Sequence, residues 1–286
     1  MHNYEGDDLI GKTGVEKQCE LTLRGQRGFK RVRRRGQSFD VLEEVFATPG
    51  RDVHLSIDIH LQEDIETIFR TWSPGRNGAA VVIDIPTGEV LAMVSLPTYD
   101  LNTYRTDFPR LAQDGVDLPL MSRAVGRKYP PGSIVKPISV IAGLTDGVVT
   151  PGTEFHCAGY LHNPNEFRCW IWKNAHVGHG SLDASSALKN SCNVYFYNVG
   201  EQLGVHREQW WLDQFGFGRK PGTGLPEERA GSVASGVSCG DTGTARMLAI
   251  GQGAFDATPL QCANGLATLA RHGEYLSPVL VLNGGT

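Results

Sequence analysis

The chain has 286 residues, enough at about 150 per domain for roughly two domains. Its 27 Lys and Arg stand against 31 Asp and Glu, a net charge of −4, which excludes the basic excess expected of a nucleic-acid binder. With 40% hydrophobic residues it can build a sizeable core, but no run approaches the ~18 apolar residues of a membrane helix.

The first twenty residues carry acids where a signal peptide needs an apolar stretch. Residues 1–50 are polar, and the run Lys30-Arg31-Val32-Arg33-Arg34-Arg35 reads as a solvated loop or strand edge. Pro49-Gly50 punctuates the chain. Val53 to Asp58 alternates apolar and polar residues, which predicts a strand. Leu61, Ile65, Ile68 and Phe69 at helical spacing predict a helix over 59–72. Ala79–Ile85 and Glu89–Ser95, joined by Pro86-Thr87-Gly88, predict a hairpin. Both runs are nearly all apolar, so helices should cover both faces. Residues 97–119 read as loop, and so does the stretch 150–180, rich in Gly, His, Cys and Trp. Helical patterns cover 181–204 and 206–215, before a Gly- and Ser-rich loop over 219–240. From Ala245 the chain approaches a helix over 258–272, opened by Thr258-Pro259. Tyr275 to Leu282 read as the start of a strand.

Gly6-Asp7-Asp8-Leu9-Ile10-Gly11-Lys12-Thr13 matches a phosphate-binding loop letter for letter. That chemistry needs a preceding strand and backbone N–H groups free to converge on phosphate. Only five residues precede the match, and two carboxylates within it would repel the ligand. No nucleotide is expected here.

Ser133 and Lys136 lie in Tyr129-Pro-Pro-Gly-Ser-Ile-Val-Lys-Pro137, ahead of an apolar helix. Pro137 is tolerated only near a helix start, so Ser133 sits at or beside the N-terminus with Lys136 one turn on. A serine hydroxyl needs an adjacent base to become a nucleophile, and a desolvated lysine can be that base. Taken alone, Ser-x-x-Lys is better read as a chance pattern with Ser133 as a helix cap. Ser191-Cys192-Asn193 follows 58 positions later; a second serine can relay a proton, and an Asn amide can hold a substrate carbonyl. Ser-x-x-Lys with such a triplet and Lys-Thr-Gly is the motif set of β-lactamases and penicillin-binding proteins.

With these motifs the chain resembles an elongation-type class B penicillin-binding protein, a peptidoglycan D,D-transpeptidase. Ile10 to Gln18 and Leu23-Arg24-Gly25 resemble the signature of that family's N-terminal pedestal domain, which accounts for the false phosphate loop. Val53 to Gln62 resembles the entry to the transpeptidase domain, and His179-Gly180 with Ser191 to Tyr197 the second motif. Phe215 to Gly218, Thr223 to Glu227, Ile250 to Gly253 and Thr258 to Gln261 complete the pattern.

The resemblance implies an α+β fold of the serine β-lactamase and D,D-transpeptidase type, an antiparallel sheet flanked by helices. Residues 1–50 would be a pedestal remnant and 51–286 the transpeptidase domain. The family's third motif, Lys-[Ser/Thr]-Gly, should follow the Gly-Gln-Gly segment, and the sequence reaches Thr286 first. The only Lys-Thr-Gly is Lys12-Thr13-Gly14. The chain therefore reads as an internal fragment of low activity, with an exposed apolar sheet edge that lowers solubility. The implied mechanism has Ser133 attack a D-Ala-D-Ala stem peptide, with Lys136 as base, Ser191 as proton relay and Asn193 as orienter. β-Lactams would acylate the same serine. Implied partners are peptidoglycan stem peptides, a glycosyltransferase and cell-elongation proteins, at the periplasmic face of the inner membrane through an anchor outside this sequence. The alternatives are a β-lactam-hydrolysing or sensing domain, or a non-catalytic scaffold.

No cofactor is implied. Cys157, His162, Cys169, His176 and His179 lie within 23 residues, but their spacings match no common zinc pattern. Some elongation-type relatives carry a metal near this region; here the residues are read as structural, and no metal is expected.

Overall fold

The computed structural model describes residues 10–282. It opens with two short helices, α1 (Gly14–Gln18) and α2 (Glu20–Arg24). The false phosphate loop extends partly outside the described residues; within them two amides at its end, Gly11 and the following Gly14, already serve carboxylates. Gly11 N–H donates to the Glu20 carboxylate at 2.7 Å and Gly14 N–H to that of Glu227 at 3.0 Å. Those two donors are not available to a phosphate.

The basic run forms β1 (Phe29–Arg35), paired antiparallel with β2 (Ser38–Val45) in a ribbon exposed along both strands. Its register sets Lys30 against Glu44 and Arg31 against Glu43, at 3.1 and 3.2 Å. Such exposed pairs stabilise little.

The expected strand at 53–58 does not form; only Leu55 bridges, to Val281. Likewise 275–282 contributes only bridges at Val279 and Val281. The helix α3 (Ile59–Trp72) runs as its spacing predicts, capped by the Asp58 carboxylate, which accepts from His60 N–H and Leu61 N–H. The hairpin forms as β3 (Gly78–Ile83) and β4 (Val90–Leu96). Val90, Ala92, Val94 and Leu96 are buried while the alternate residues of β4 are half-buried, so the two faces are covered unequally. The outer edge of β4 is blunted by side chains: Met93 N–H donates to Gln62 Oε1 at 2.8 Å, and Gln62 Nε2 donates back to Met93 O at 3.3 Å.

Where a loop was expected, α4 (Tyr104–Gln113) forms despite Pro109 inside it. Tyr104, Phe108 and Leu111 fall on one side, and only Leu111 is buried, so the periodic signal is faint. The four-residue α5 (Arg123–Gly126) follows. A 3₁₀ turn over Gly132–Val135 leads into α6 (Lys136–Thr145), with Pro137 in its first turn.

The stretch 150–180 is not all loop: β5 (Phe155–Cys157), α7 (Trp170–Ala175) and β6 (Gly180–Leu182) punctuate it, and β5 pairs with β6. The helical pattern over 181–204 breaks in two, α8 (Ala184–Lys189) and α9 (Asn193–Leu203). The break falls at Ser191, whose φ is +47°. Then come α10 (Val205–Gln214), β7 (Ser232–Val233), α11 (Thr242–Leu248), β8 (Phe255–Asp256), which pairs with β7, and α12 (Pro259–Ala270).

α9 is the spine of the molecule. Tyr195, Phe196 and Val199 are fully buried, packed with Val140 and Ala142 of α6, Leu182 of β6 and Cys157. A side chain at Gly200 would meet the Ala245 carbonyl at 2.5 Å, so glycine lets α9 and α11 touch. A second cluster joins Ile138 to Leu212, Leu248, Phe217 and Phe255; a third closes the hairpin with Val125, Leu225 and Leu260.

α12 starts on a full capping box: Gln261 N–H donates to Thr258 Oγ1, and Thr258 N–H to Gln261 Oε1. Both side chains are buried, and Gln261 Nε2 also serves three loop carbonyls. Thr258→Ala is expected to cost about 1–2 kcal/mol, read as a lower urea midpoint with unchanged slope.

Candidate active site

Four residues singled out in the sequence meet at the N-terminal ends of two helices. Ser133 lies exposed in the 3₁₀ turn; Lys136, the first residue of α6, is 1% exposed. Gly132 N–H donates to Gly251 O at 2.8 Å, and a side chain at Gly251 would strike the Gly132 carbonyl at 2.2 Å. The turn that presents Ser133 therefore rests directly on the Gly-Gln-Gly segment.

The break between α8 and α9 supplies the rest. Ser191 in the left-handed region turns the chain sharply. Asp183 caps α8 through Ser186 N–H, and Ser191 N–H bonds back to Leu188 O, so the helix ends where the turn is needed. Lys136 Nζ lies 2.8 Å from Ser191 O, 3.0 Å from Ser191 Oγ and 2.7 Å from Asn193 Oδ1. Ser191 Oγ is 3.1 Å from Ser133 Oγ. The hydrogen-bonded path from Lys136 to Ser133 thus runs through Ser191.

Burial pushes the Lys136 amine down to about 8 from its ordinary 10.5. Both of its protonation states are satisfied by the same three neighbours. As an ammonium it donates to all three, and the Ser191 hydroxyl points at Ser133. As an amine it donates to Ser191 O and Asn193 Oδ1 and accepts from the Ser191 hydroxyl, which can then accept from Ser133. The switch needs no side chain to move. About one molecule in ten holds the neutral amine at pH 7.

A second cluster adjoins this one. Cys157, Cys169, His179 and Cys192 place their ligand atoms within 4.8 Å of one another. His179 Nδ1 is 3.6 Å from both Cys157 Sγ and Cys169 Sγ. With metal–sulfur bonds of ~2.3 Å and metal–nitrogen bonds of ~2.05 Å, a tetrahedral N···S edge is about 3.6 Å, so the donor set fits zinc in type, number and spacing. The three cysteines are buried at 2% exposure or less. Hydrogen bonds from Cys157 and Cys192 hold the Cys169 thiol well below the ordinary range.

The sequence grouping included two histidines that stand apart. His162 reaches the Arg246 guanidinium at 3.5 Å, and His176 lies against Trp172. It also left out Cys192, the residue between the two polar members of the second motif. The signal was present: Cys192 is the N-cap of α9, held by the same turn that aims Ser191 and Asn193.

The transpeptidase-domain model of penicillin-binding proteins matches residues 78–283, and the penicillin-binding protein dimerisation-domain model matches 1–55. Among curated proteins, the peptidoglycan D,D-transpeptidase MrdA of Acinetobacter baumannii is 38% identical over 96% of this chain. Among solved structures, PBP2 from Helicobacter pylori in complex with MreC superposes with a TM-score of 0.84 at 31% identity over 96% of this chain. A structure described as the coordination of polymerization and crosslinking by a peptidoglycan synthase complex gives 0.80 at 32% identity over 97%. The chain spans 42% of the Acinetobacter protein and 53% and 52% of the two solved chains. It belongs to the penicillin-binding protein transpeptidase family, among the elongation-type PBP2 and MrdA proteins.

Proposed function

We propose that this chain carries the acyl-transfer centre of a peptidoglycan D,D-transpeptidase. The supporting observation is the continuous hydrogen-bonded path Ser133–Ser191–Lys136. With Lys136 neutral, the Ser133 proton moves to Ser191 Oγ as the Ser191 proton moves to Lys136. Ser133 Oγ then bonds to the carbonyl carbon of the penultimate D-Ala, the amide bond breaks, and terminal D-Ala leaves with a proton returned along the same path. An amine of a neighbouring stem attacks the ester, its surplus proton goes to the relay, and Ser133 is released. Asn193, held between Lys136 and the Arg168 carbonyl, orients the donor peptide. A β-lactam carbonyl enters at the same position as the D-Ala carbonyl.

The chain divides, on this proposal, near residue 50 into a pedestal portion and the transpeptidase portion. The MreC and synthase complexes of its relatives support cell-elongation proteins and a glycan polymerase as partners, on the outer side of the inner membrane. Prolonged incubation with a β-lactam followed by intact-mass measurement tests the site. One adduct is expected per wild-type chain and none on Ser133→Ala. Lys136→Met should slow acylation by about a hundred- to ten-thousandfold. An adduct on Ser133→Ala at the wild-type rate would refute the assignment.

The four-ligand cluster favours a second element, a closed structural zinc held by Cys157, Cys169, His179 and Cys192. When bound, the metal would tie β5, β6 and the loop before α7 to the N-cap of α9. Metal analysis should find about one zinc per chain. Cys192→Ser should lower it together with thermal stability, whereas His162→Ala should retain it. A metal-free protein that melts identically with and without chelator would contradict this reading.

A further inference from the structure

Glu208 has no place in the mechanism above, yet it is one of the most completely buried side chains in the molecule, at 0% exposure. It lies on α10 between Val205 and Leu212, the apolar face packed against Ile138 of α6 and Ala245 and Leu248 of α11. Its neighbour is Ser139, also at 0% exposure, three residues after Lys136 on α6. Ser139 Oγ is 3.3 Å from Glu208 Oε2 and 3.2 Å from the carbonyl of Ala249. Glu208 Oε1 is buried without a partner.

Among the described residues no cation faces this carboxyl. Lys136 of α6 is turned to Ser191 and Asn193. Asp146, at the end of α6, is bound by Arg207 of α10, and Arg246 of α11 is bound to Glu201 of α9. A count of protons then decides its state. The Ser139 hydroxyl has one proton and two acceptors in reach. If Glu208 were ionised, that proton could satisfy either the carboxylate or Ala249 O, and the other would remain buried and unpaired, beside an uncompensated charge. If Glu208 is protonated, its O–H donates to Ser139 Oγ and Ser139 donates to Ala249 O. Both bonds are then made.

We propose that Glu208 is a protonated positioning residue, whose proton completes a buried clamp from α10 through Ser139 of α6 to Ala249. Two residues beyond Ala249 is Gly251, whose carbonyl holds the Gly132 N–H of the Ser133 turn. The clamp therefore joins the helix that starts with Lys136 to the segment on which the nucleophile rests. Its effect on acylation rests on the function proposed above; its effect on stability does not. Burial pushes the Glu208 carboxyl from 4.5 up to about 8. Between those two values the folded chain keeps a proton that the unfolded chain has lost, so this group makes stability fall as pH rises through that window, and level off above it.

The test compares wild type, Glu208→Gln and Ser139→Ala. Glutamine donates to Ser139 as the protonated acid does, but cannot ionise. Wild type should lose about 5 °C in Tm between pH 6 and pH 9 relative to Glu208→Gln. If the glutamine variant does not fold, Glu208→Met serves as the non-titrating reference for the same comparison. For β-lactam acylation, the ratio of the Glu208→Gln rate to the wild-type rate should rise about fivefold from pH 6.5 to pH 9.5. Ser139→Ala breaks the clamp at every pH, so its rate relative to Glu208→Gln should be low and show no such trend. Parallel Tm and rate profiles for wild type and Glu208→Gln would overturn the proposal. Absence of any adduct on Ser133 in every protein would instead refute the functional reading, and the Tm profiles would still decide the clamp.

Discussion

An amine buried at the start of α6 is the constraint from which the rest of this molecule follows. Lys136 can be dry only if each of its protons has an acceptor, because an unpaired buried ammonium is far more costly than any packing it makes possible. All three acceptors come from one turn, Ser191 to Asn193. That turn must therefore fall opposite the first turn of α6, and α8 must stop short of it. The positive φ of Ser191 is how the chain achieves the reversal without a glycine. A glycine there would free the backbone but remove the hydroxyl that joins Lys136 to Ser133.

The middle residue of the same turn faces the other way. Cys192 enters the cluster of Cys157, Cys169 and His179, which lie on or next to β5, β6 and α7. Ser191 and Asn193 thus look toward the nucleophile while the residue between them is anchored behind. Three consecutive side chains divide between chemistry and scaffold, and α9, with seven buried residues, begins at that division. One turn further along α6, Ser139 bonds Glu208 of α10 and Ala249 O and holds the helix there. Ser133 is exposed, but Lys136, Ser139 and Glu208 behind it are dry.

Parts of this were legible in the sequence for specific reasons. Leu61, Ile65 and Phe69 give α3 a strong period against β4, and Thr258-Pro259 marks the start of α12. The hairpin is plain because a Gly-containing turn separates two β-branched runs. Ser133 and Lys136 are bound by their spacing within one helical turn, and Ser191 and Asn193 by the motif pair. Other features were hidden by physics that no local window carries. α4 buries only Leu111 and contains Pro109, so polarity and proline both spoke for a loop. The break at Ser191 is invisible because the segments on either side each keep helical periodicity. Cys192 joins ligands 13 to 35 positions away only once β5 and β6 pair. Glu208 stands in the polar run His206-Arg207-Glu208-Gln209, and only Val205 and Leu212, three before and four after it, mark its place on the buried face.

The central claim is that Lys136 is a base because it is buried, and that it reaches Ser133 through Ser191. Titration of its side-chain nitrogen by NMR, with the resonance assigned by Lys136→Met, tests the burial directly. The expected midpoint lies well below the ordinary lysine range, at about 8. A midpoint in the ordinary lysine range, near 10.5, would mean an amine that is solvated in solution and a site that does not work as described.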